Sequence, residues 1–319
     1  MFAMNFDITI GSFRLTMLDS VEIKRSVENL ADTAVITLPG TAYNRALEVE
    51  DKIGEGDPVC IRLGYDADME ELPVEFEGYV DTISTEEGSI KITCEDELYA
   101  FRKELVNTAL SDVSVGDLLS HVAGEIGGFD VACDYDFKYD KFTIYESTGF
   151  DILKKVHEET RANIYFRGKT LHVHPQYAEV GEKVIYDFAL NIEKSELTYK
   201  DEKGRKLAVT VEGTDAEGKA VKATKGTPGG DKFTIKLPGV SDKGALERRA
   251  DEELNTKAYS GYEGSFTAWL VPRVEPGDVA ELRDEEYQNK NGSYYVVSTE
   301  TSFSSGGGSR KITIGKKIE

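Results

Sequence analysis

The sequence predicts a mainly β protein with an α+β insertion: two similar antiparallel β-barrels and, between them, a small α+β domain. Apolar residues alternate through the first hundred positions and again after residue 185, helical periodicity fills the stretch between, and segments near the two ends match. A period of two is typical of antiparallel strands that bury one face. We therefore expect a first barrel at residues 1–102, an inserted domain at 103–180 and a second barrel at 181–319.

The first domain is predicted to be a series of half-buried strands. Turn-forming residues such as Gly54 and Gly56 interrupt the alternation, as glycine does where the chain must reverse. The alternating apolar sets are Val21, Ile23 and Val27; Ala34, Ile36 and Leu38; Ile61, Leu63 and Tyr65; Val74, Phe76 and Val80; and Ile90, Ile92 and Cys94.

The inserted domain is predicted to contain two helix–strand units. Ser114 and Thr148 each precede a helical pattern and can cap free N–H groups, while Asp117 and Asp151 favour the positive helix end. The two capping positions are 34 residues apart (148 − 114), as are the two acids (151 − 117). A short strand is predicted after each helix, at residues 129–133 and 163–166.

The second barrel is predicted to carry strands around 207–211 and 233–237 and one long helix at about 242–259. An apolar stripe recurs every four residues of that helix, and Ser241 or Asp242 is its expected cap. The stripe consists of Leu246, Ala250, Leu254 and Ala258.

An internal duplication is the most informative pattern. Three segments near the C-terminus match three segments of the first domain in the same order, at offsets of 221 (277 − 56), 216 (295 − 79) and 220 (308 − 88). The alternative is a chance likeness between hairpins, because turns favour glycine and aspartate everywhere. The matches are Gly56-Asp57-Pro58-Val59 with Gly277-Asp278-Val279, Tyr79-Val80 with Tyr295-Val296, and Gly88-Ser89-Ile90-Lys91-Ile92-Thr93 with Gly308-Ser309-Arg310-Lys311-Ile312-Thr313.

The charge is strongly acidic: 59 acidic against 38 basic residues give a net charge of −21. Such a surface repels nucleic acid and gains nothing from an anionic membrane, although charge that only maintains solubility is the plain alternative. Cys60, Cys94 and Cys133 have no metal-ligand spacing, so we expect free thiols in a reducing compartment. We expect neither a signal peptide nor a membrane span, and therefore a soluble protein made in the cytoplasm.

Residues that could carry chemistry are few. His172 and His174 would share one face of a strand and could reach one metal ion, but no further ligand has a recognisable spacing, so ordinary histidines are expected. Neighbouring acids are expected by chance among 59, and a nucleotide-type glycine loop is lacking. We predict no catalytic, cofactor-binding or metal-binding residue, and no enzyme. The acid pairs are Glu70-Glu71, Asp96-Glu97 and Glu285-Glu286.

Six segments in a fixed order carry a resemblance to a known family. They are Asp19-Ser20-Val21-Glu22-Ile23-Lys24-Arg25, Val211-Glu212-Gly213, Gly244-Ala245-Leu246-Glu247-Arg248-Arg249-Ala250, Pro276-Gly277-Asp278-Val279-Ala280-Glu281-Leu282, Tyr294-Tyr295-Val296-Val297 and Ser302-Phe303-Ser304-Ser305-Gly306-Gly307-Gly308. These segments resemble the late control protein D family, which comprises the baseplate hub proteins of phage tails and the matching N-terminal part of type VI secretion spike proteins. The resemblance covers most of the chain and is strongest after residue 205.

The resemblance implies a homo-trimeric ring of paired barrels in the virion, at the tail baseplate. The ring would adapt a sixfold tail tube or distal tail ring protein to a threefold central spike protein, beside the tape-measure protein and other baseplate components. DNA would only pass through its channel, which acidic residues could line, and no stable membrane association is implied. The sequence stops at Glu319 without an appended spike domain, so the spike is expected to be a separate chain. The alternative is a carbohydrate- or cell-wall-binding β protein that uses exposed tyrosines.

Overall fold

The computed structural model describes residues 4–39, 52–65, 71–86, 88–135, 137–178, 180–201, 206–215 and 217–318. It is mainly β with a small helical part, which confirms the predicted fold class. The chain forms two compact units, and the domain boundaries at 102 and 180 stay a prediction. The sheet unit comprises Met1–Tyr99, Val180–Leu197 and Gly264–Glu319, and the mixed unit comprises Ala100–Glu179 and Thr198–Glu263.

Strands account for most of the described chain. In chain order they are β1 (Met4–Ile10), β2 (Phe13–Arg14), β3 (Ser20–Ser26), β4 (Thr33–Pro39), β5 (Pro58–Tyr65), β6 (Val74–Glu86), β7 (Ser89–Glu95), β8 (Thr108–Ser114), β9 (Asp130–Cys133), β10 (Lys138–Ile144), β11 (Asn163–Arg167), β12 (Thr170–His174), β13 (Lys183–Asp187), β14 (Ile192–Lys200), β15 (Leu207–Thr214), β16 (Ala220–Gly226), β17 (Asp231–Leu237), β18 (Gly261–Trp269), β19 (Val279–Arg283), β20 (Gly292–Ser304) and β21 (Gly307–Lys317).

The helices are fewer and lie between these strands. They are α1 (Val115–Ile126), α2 (Gly149–Thr160) and α3 (Lys243–Lys257), with short 3-10 helices at Glu97–Arg102 and Gln288–Lys290. Within the described ranges, no helix combines the length and the apolar character that crossing a bilayer demands.

The sheet unit is built on one large sheet in the strand order β14-β18-β21-β20-β3-β4-β7-β6-β5-β1-β2. Strand β20 joins its two parts, because it pairs with β19 and β21 on the C-terminal side and with β3 on the N-terminal side. The predicted alternation is present: Ile23, Ile36 and Ile92 are at most 1% exposed. Burial of each such side chain contributes about 1.5–3 kcal/mol to the free energy of folding.

The first of the two matching hairpins has a distinctive backbone geometry. Gly56 has φ +83° and donates its N–H to the carbonyl of Val80 over 2.8 Å, and the Val80 N–H donates to the carbonyl of Asp57 over 2.9 Å. Beyond Val80 the pairing of β6 with β7 shifts register before Thr82, and Val80 lies opposite Cys94.

The second hairpin repeats this geometry. Gly277 has φ +95° and donates to the carbonyl of Val296 over 2.8 Å, and the Val296 N–H donates to the carbonyl of Asp278 over 2.9 Å. The register of β20 with β21 shifts between Val296 and Ser298, and Val296 lies opposite Ile314. A shared register shift goes beyond a chance likeness of turns, so the matched segments are structurally equivalent. The repeat ends beyond the hairpins: β1 pairs antiparallel with β5, whereas β13 pairs parallel with β19.

The helix caps of the mixed unit form as predicted. The Ser114 hydroxyl accepts the N–H of Asp117 over 3.0 Å, and the Thr148 hydroxyl accepts that of Asp151 over 3.2 Å. At the second cap the Asp151 carboxylate also accepts the Thr148 N–H, which completes a capping box. Helix α3 is capped by Asp242, the second of the two candidates.

Some strands of the mixed unit were not predicted. Strands β8 and β10 form a two-stranded ribbon, and β8 exposes polar residues such as Asp112 without apolar alternation. Strands β9 and β11 belong to one sheet, on either side of β12. The two helix–strand units are therefore connected through a strand that the sequence pattern did not indicate.

We expect Thr148→Ala to lower the free energy of unfolding by about 0.5–2 kcal/mol, and by more than Ser114→Ala. The Thr148 change removes one half of a reciprocal cap, in which the Asp151 carboxylate also accepts the Thr148 N–H. At Ser114 the hydroxyl bonds the N–H and the carboxylate of Asp117, and the described cap has no such return bond to the backbone. Urea unfolding followed by circular dichroism measures both losses, and Thr148→Ser should retain the wild-type value. Equal losses for the two alanine variants would contradict the expectation.

Candidate functional site

The histidine pair lies on β12, as the alternation predicts. His172 Nδ1 and His174 Nε2 are 3.2 Å apart, and His174 Nδ1 lies 2.7 Å from Asp134 Oδ1. The ring of Tyr165 stacks on His172 with 5.2 Å between centroids. The Asp134 carboxylate favours the tautomer of His174 that has its proton on Nδ1. His174 Nε2 can then accept a hydrogen bond from the N–H at His172 Nδ1. The two histidines thus complete a hydrogen-bonded chain without a metal ion.

We expect tag-free protein to contain well below one equivalent of zinc after dialysis. A structural zinc site needs four ligands, and among the described residues no group of three or more His, Cys, Asp or Glu side chains could hold a metal ion. Elemental analysis measures the content. A stoichiometric metal that is lost in His174→Asn but retained in the control His157→Asn would contradict the prediction.

The acid pairs have structural surroundings. Asp96 is buried, and its carboxylate accepts the N–H groups of Leu98 and Asp32, each over 3.1 Å. Burial, together with the nearby Asp32 charge, raises the pKa of Asp96. Glu285 and Glu286 are exposed next to each other, and Glu71 is exposed while Glu70 lies outside the described residues. The described acids Asp96, Glu285 and Glu286 therefore do not form the two contrasting acids across a cleft that glycoside hydrolysis requires.

The cysteines are free thiols, as predicted from their spacing. Cys94 is fully buried, and burial raises its pKa to about 12. Burial also raises the pKa of Cys60 and of Cys133. A raised pKa suppresses the thiolate, which is the nucleophilic form, so these residues are poor nucleophiles.

One cavity of the mixed unit has a mixed lining of charged and apolar side chains. Its volume is about 140 Å³, and Tyr135, Arg249 and Glu252 are among its lining residues. The Tyr135 hydroxyl donates to Glu252 over 2.9 Å. Pockets for cofactors usually measure about 300–1,000 Å³. This cavity therefore fits a few water molecules or one small side chain.

The sheet unit contains a buried charge network that the sequence did not predict. Its centre is Arg310, which is 1% exposed and places Nη2 2.7 Å from both carboxylate oxygens of Glu75. Its Nη1 donates to the carbonyl of Leu270 over 2.9 Å, and its Nε donates to the Thr301 hydroxyl over 3.2 Å. The network consists of Arg25, Asp32, Glu75, Arg273, Glu275 and Arg310.

The outer part of the network continues through two further arginines. Arg273 Nη2 lies 2.5 Å from Glu275 Oε1, which is also 3.4 Å from Arg25 Nη1. Arg25 donates through Nε to Asp32 over 2.8 Å. Burial alone would lower the pKa of Arg25, but the carboxylates of Asp32 and Glu275 raise it. The Arg25 guanidinium therefore stays charged, and the network connects strands from both ends of the chain.

The duplication contains a feature that could have revealed this network. Arg310 corresponds to Ile90 at the offset of 220, and Ile90 is a core residue with 6% exposure. An arginine at a repeated core position requires a buried partner, because an unpaired buried charge is very costly. Glu75 as the partner could not be inferred, since it lies 235 residues away in sequence.

Comparisons with known proteins identify relatives by structure. No family model matches the chain. The curated proteins likewise contain no match. Among solved structures, a tail protein from Neisseria meningitidis superimposes with a TM-score of 0.68 at 14% identity, over 98% of this chain and 96% of that chain. The 43 kDa tail protein of prophage MuSo2 from Shewanella oneidensis gives 0.67 at 14% identity, over 98% of both chains.

A third structure extends the likeness beyond phage tails. It is a type VI secretion system component from Escherichia coli, described as structurally similar to the T4 bacteriophage tail proteins gp27 and gp5. The TM-score is 0.60 at 8% identity, over 98% of this chain and 79% of that chain. At identities of 8–14%, the structural likeness establishes the fold alone. The chain therefore has the fold of these phage tail proteins and of the type VI secretion component, in agreement with the fold that the resemblance to the late control protein D family implied.

Proposed function

We propose that the chain is a structural baseplate hub protein of a phage tail or a phage-like injection machine, and that it is not an enzyme. The observation that carries the proposal is the whole-chain likeness to two tail proteins, over 98% of this chain and at least 96% of each of them. A likeness of this extent includes both units of the chain. The hydrogen bonds of the histidine pair and the ion pairs of the buried charge network are consistent with a structural role.

The hub would assemble as a homo-trimeric ring. Each chain contributes two equivalent hairpins to one sheet, so three chains would present six similar positions on a closed ring. Such a ring could meet a sixfold tail tube or distal ring on one side and a threefold spike on the other. The acidic charge would allow DNA or a tape-measure protein to pass its channel without binding.

The mass of the purified protein in solution tests this proposal. We expect size-exclusion chromatography with light scattering to give about 106 kDa, three times the 35.3 kDa of one chain. Negative-stain images of the same peak should show threefold rings. A stable monomer that is retained on peptidoglycan or glycan beads would instead support a carbohydrate- or cell-wall-binding protein.

A further inference from the structure

One sheet of the mixed unit has a charge opposite to that of the whole protein. In this sheet β15 lies between β16 and β17. Helix α3 covers one face, where Val209 and Val211 are fully buried. The residues between them in sequence point to the other face, because side chains alternate along a strand. We call this other face the cationic sheet face; its residues are Thr210, Glu212, Lys222, Thr224, Lys232 and Lys236.

The lysines of this face lie across the central strand. Lys222 and Lys236 are both paired in register with Glu212, and Lys232 is paired with Ala208. Three lysines and one glutamate give this face a formal charge of +2 (3 − 1), and the rest of the chain has −23 (−21 − 2). The Lys222 side chain remains 57% exposed although its ammonium contacts Glu212. The face therefore presents positive charge to solvent.

Edge protection is the simplest alternative for lysines in β16 and β17, since both are edge strands of this sheet. However, Lys222, Lys232 and Lys236 project from the face, where their neighbours on the central strand are short or acidic. Lysines that only maintain solubility would also have no reason to cluster on one face of an acidic protein. The hydroxyls of Thr210 and Thr224 lie 2.9 Å apart beside these lysines, so the surface between them consists of short polar side chains.

We infer that the cationic sheet face docks against an acidic surface of a second copy of this chain. The inference rests on the proposed ring and assigns one side of its subunit contact. Two copies of this face would repel each other, so the contact must be heterologous, which is the kind that closes a ring of three. The remaining charge of −23 supplies the complementary surface. A nucleic acid is a poorer occupant, because three lysines neutralise few phosphates and the whole chain repels them.

Charge reversal tests the inference on the full chain. We expect Lys222→Glu/Lys232→Glu/Lys236→Glu to associate at least about tenfold more weakly than the wild type in 0.15 M salt, because like charges then oppose across the contact. The matched control is Lys138→Glu/Lys194→Glu/Lys243→Glu, which makes the same change in charge at side chains that are 59–69% exposed and should keep the wild-type mass. The wild-type trimer should also loosen between 0.05 and 1 M salt, as salt screens exposed charges.

Circular dichroism and urea unfolding verify that each variant is folded, and a milder Lys→Gln version of the three face changes should give an intermediate loss. Unchanged association of both face variants would overturn the docking face while leaving the ring intact. A wild type and control that never exceed the monomer mass would instead refute the ring itself. Aggregation of the folded face variant would indicate edge protection, and loss of binding to labelled double-stranded DNA would indicate a nucleic-acid surface; either overturns the inference.

Discussion

Replacing Arg310 by methionine should lower the free energy of unfolding by about 3–5 kcal/mol, because it leaves a buried carboxylate without its partner. Glu75 is 5% exposed and receives both of its shortest contacts, at 2.7 Å, from Arg310. Arg273 is a further nearby cation, but its Nε is 3.6 Å from Glu75 and its Nη2 is engaged by Glu275. It cannot replace the two short contacts that Arg310 Nη2 makes with the Glu75 carboxylate.

Urea unfolding followed by tryptophan fluorescence measures the loss of stability of the sheet unit, because the single tryptophan, Trp269, lies there. The double variant Arg310→Met/Glu75→Leu should recover most of the loss, since apolar replacement of both charges removes the desolvation penalty. Lys317→Met is the control, because it also replaces a long cationic side chain of β21 by methionine. Its free energy of unfolding should stay within about 0.5 kcal/mol of the wild-type value. A similarly small loss for Arg310→Met would show that water or another cation reaches Glu75.

This pair shows how far the sequence could predict the sheet unit. The repeat aligned Arg310 with Ile90, a member of a predicted alternating strand, so both the strand and the inward position were available. The partner was not, because Glu75 belongs to β6 and meets β21 only in the folded sheet. Local patterns predict strands and hairpins, whereas pairings between distant strands depend on the whole fold.

In the mixed unit, too, the sequence predicted local structure but not the pairing of distant strands. Caps at Ser114 and Thr148 are local hydrogen bonds, and the helices begin where the sequence places them. The parallel pairing of β15 with β17 is not local, so a surface that combines Glu212 with Lys236 could not be seen in the sequence. The candidate docking face therefore came from the structure, since it also includes β16, a strand that the sequence analysis did not predict.

Replacing Gly78 by alanine should be comparably severe, with a loss of about 3 kcal/mol or more, at the upper end of what overpacking costs. An added Cβ would lie 2.2 Å from the carbonyl oxygen of Glu95 and 2.9 Å from its carbonyl carbon. Neither atom can move easily, because Glu95 ends β7, which is paired with β4 on one side and β6 on the other. The same Trp269 fluorescence assay measures the loss.

Gly54→Ala is the matched control in the same unit: its added Cβ would have no atom within 4 Å, so its effect should stay within about 0.5 kcal/mol. The second hairpin supports the conclusion that the Glu95 carbonyl excludes a side chain at Gly78. At the offset of 216 the second hairpin has Tyr294 in place of Gly78, and there the pairing of β20 with β21 has an extra register shift between Tyr294 and Val296. A side chain is thus tolerated where the register opens. An unchanged free energy of unfolding for Gly78→Ala would contradict this prediction. It would show that the first hairpin can adopt the additional register shift of the second hairpin.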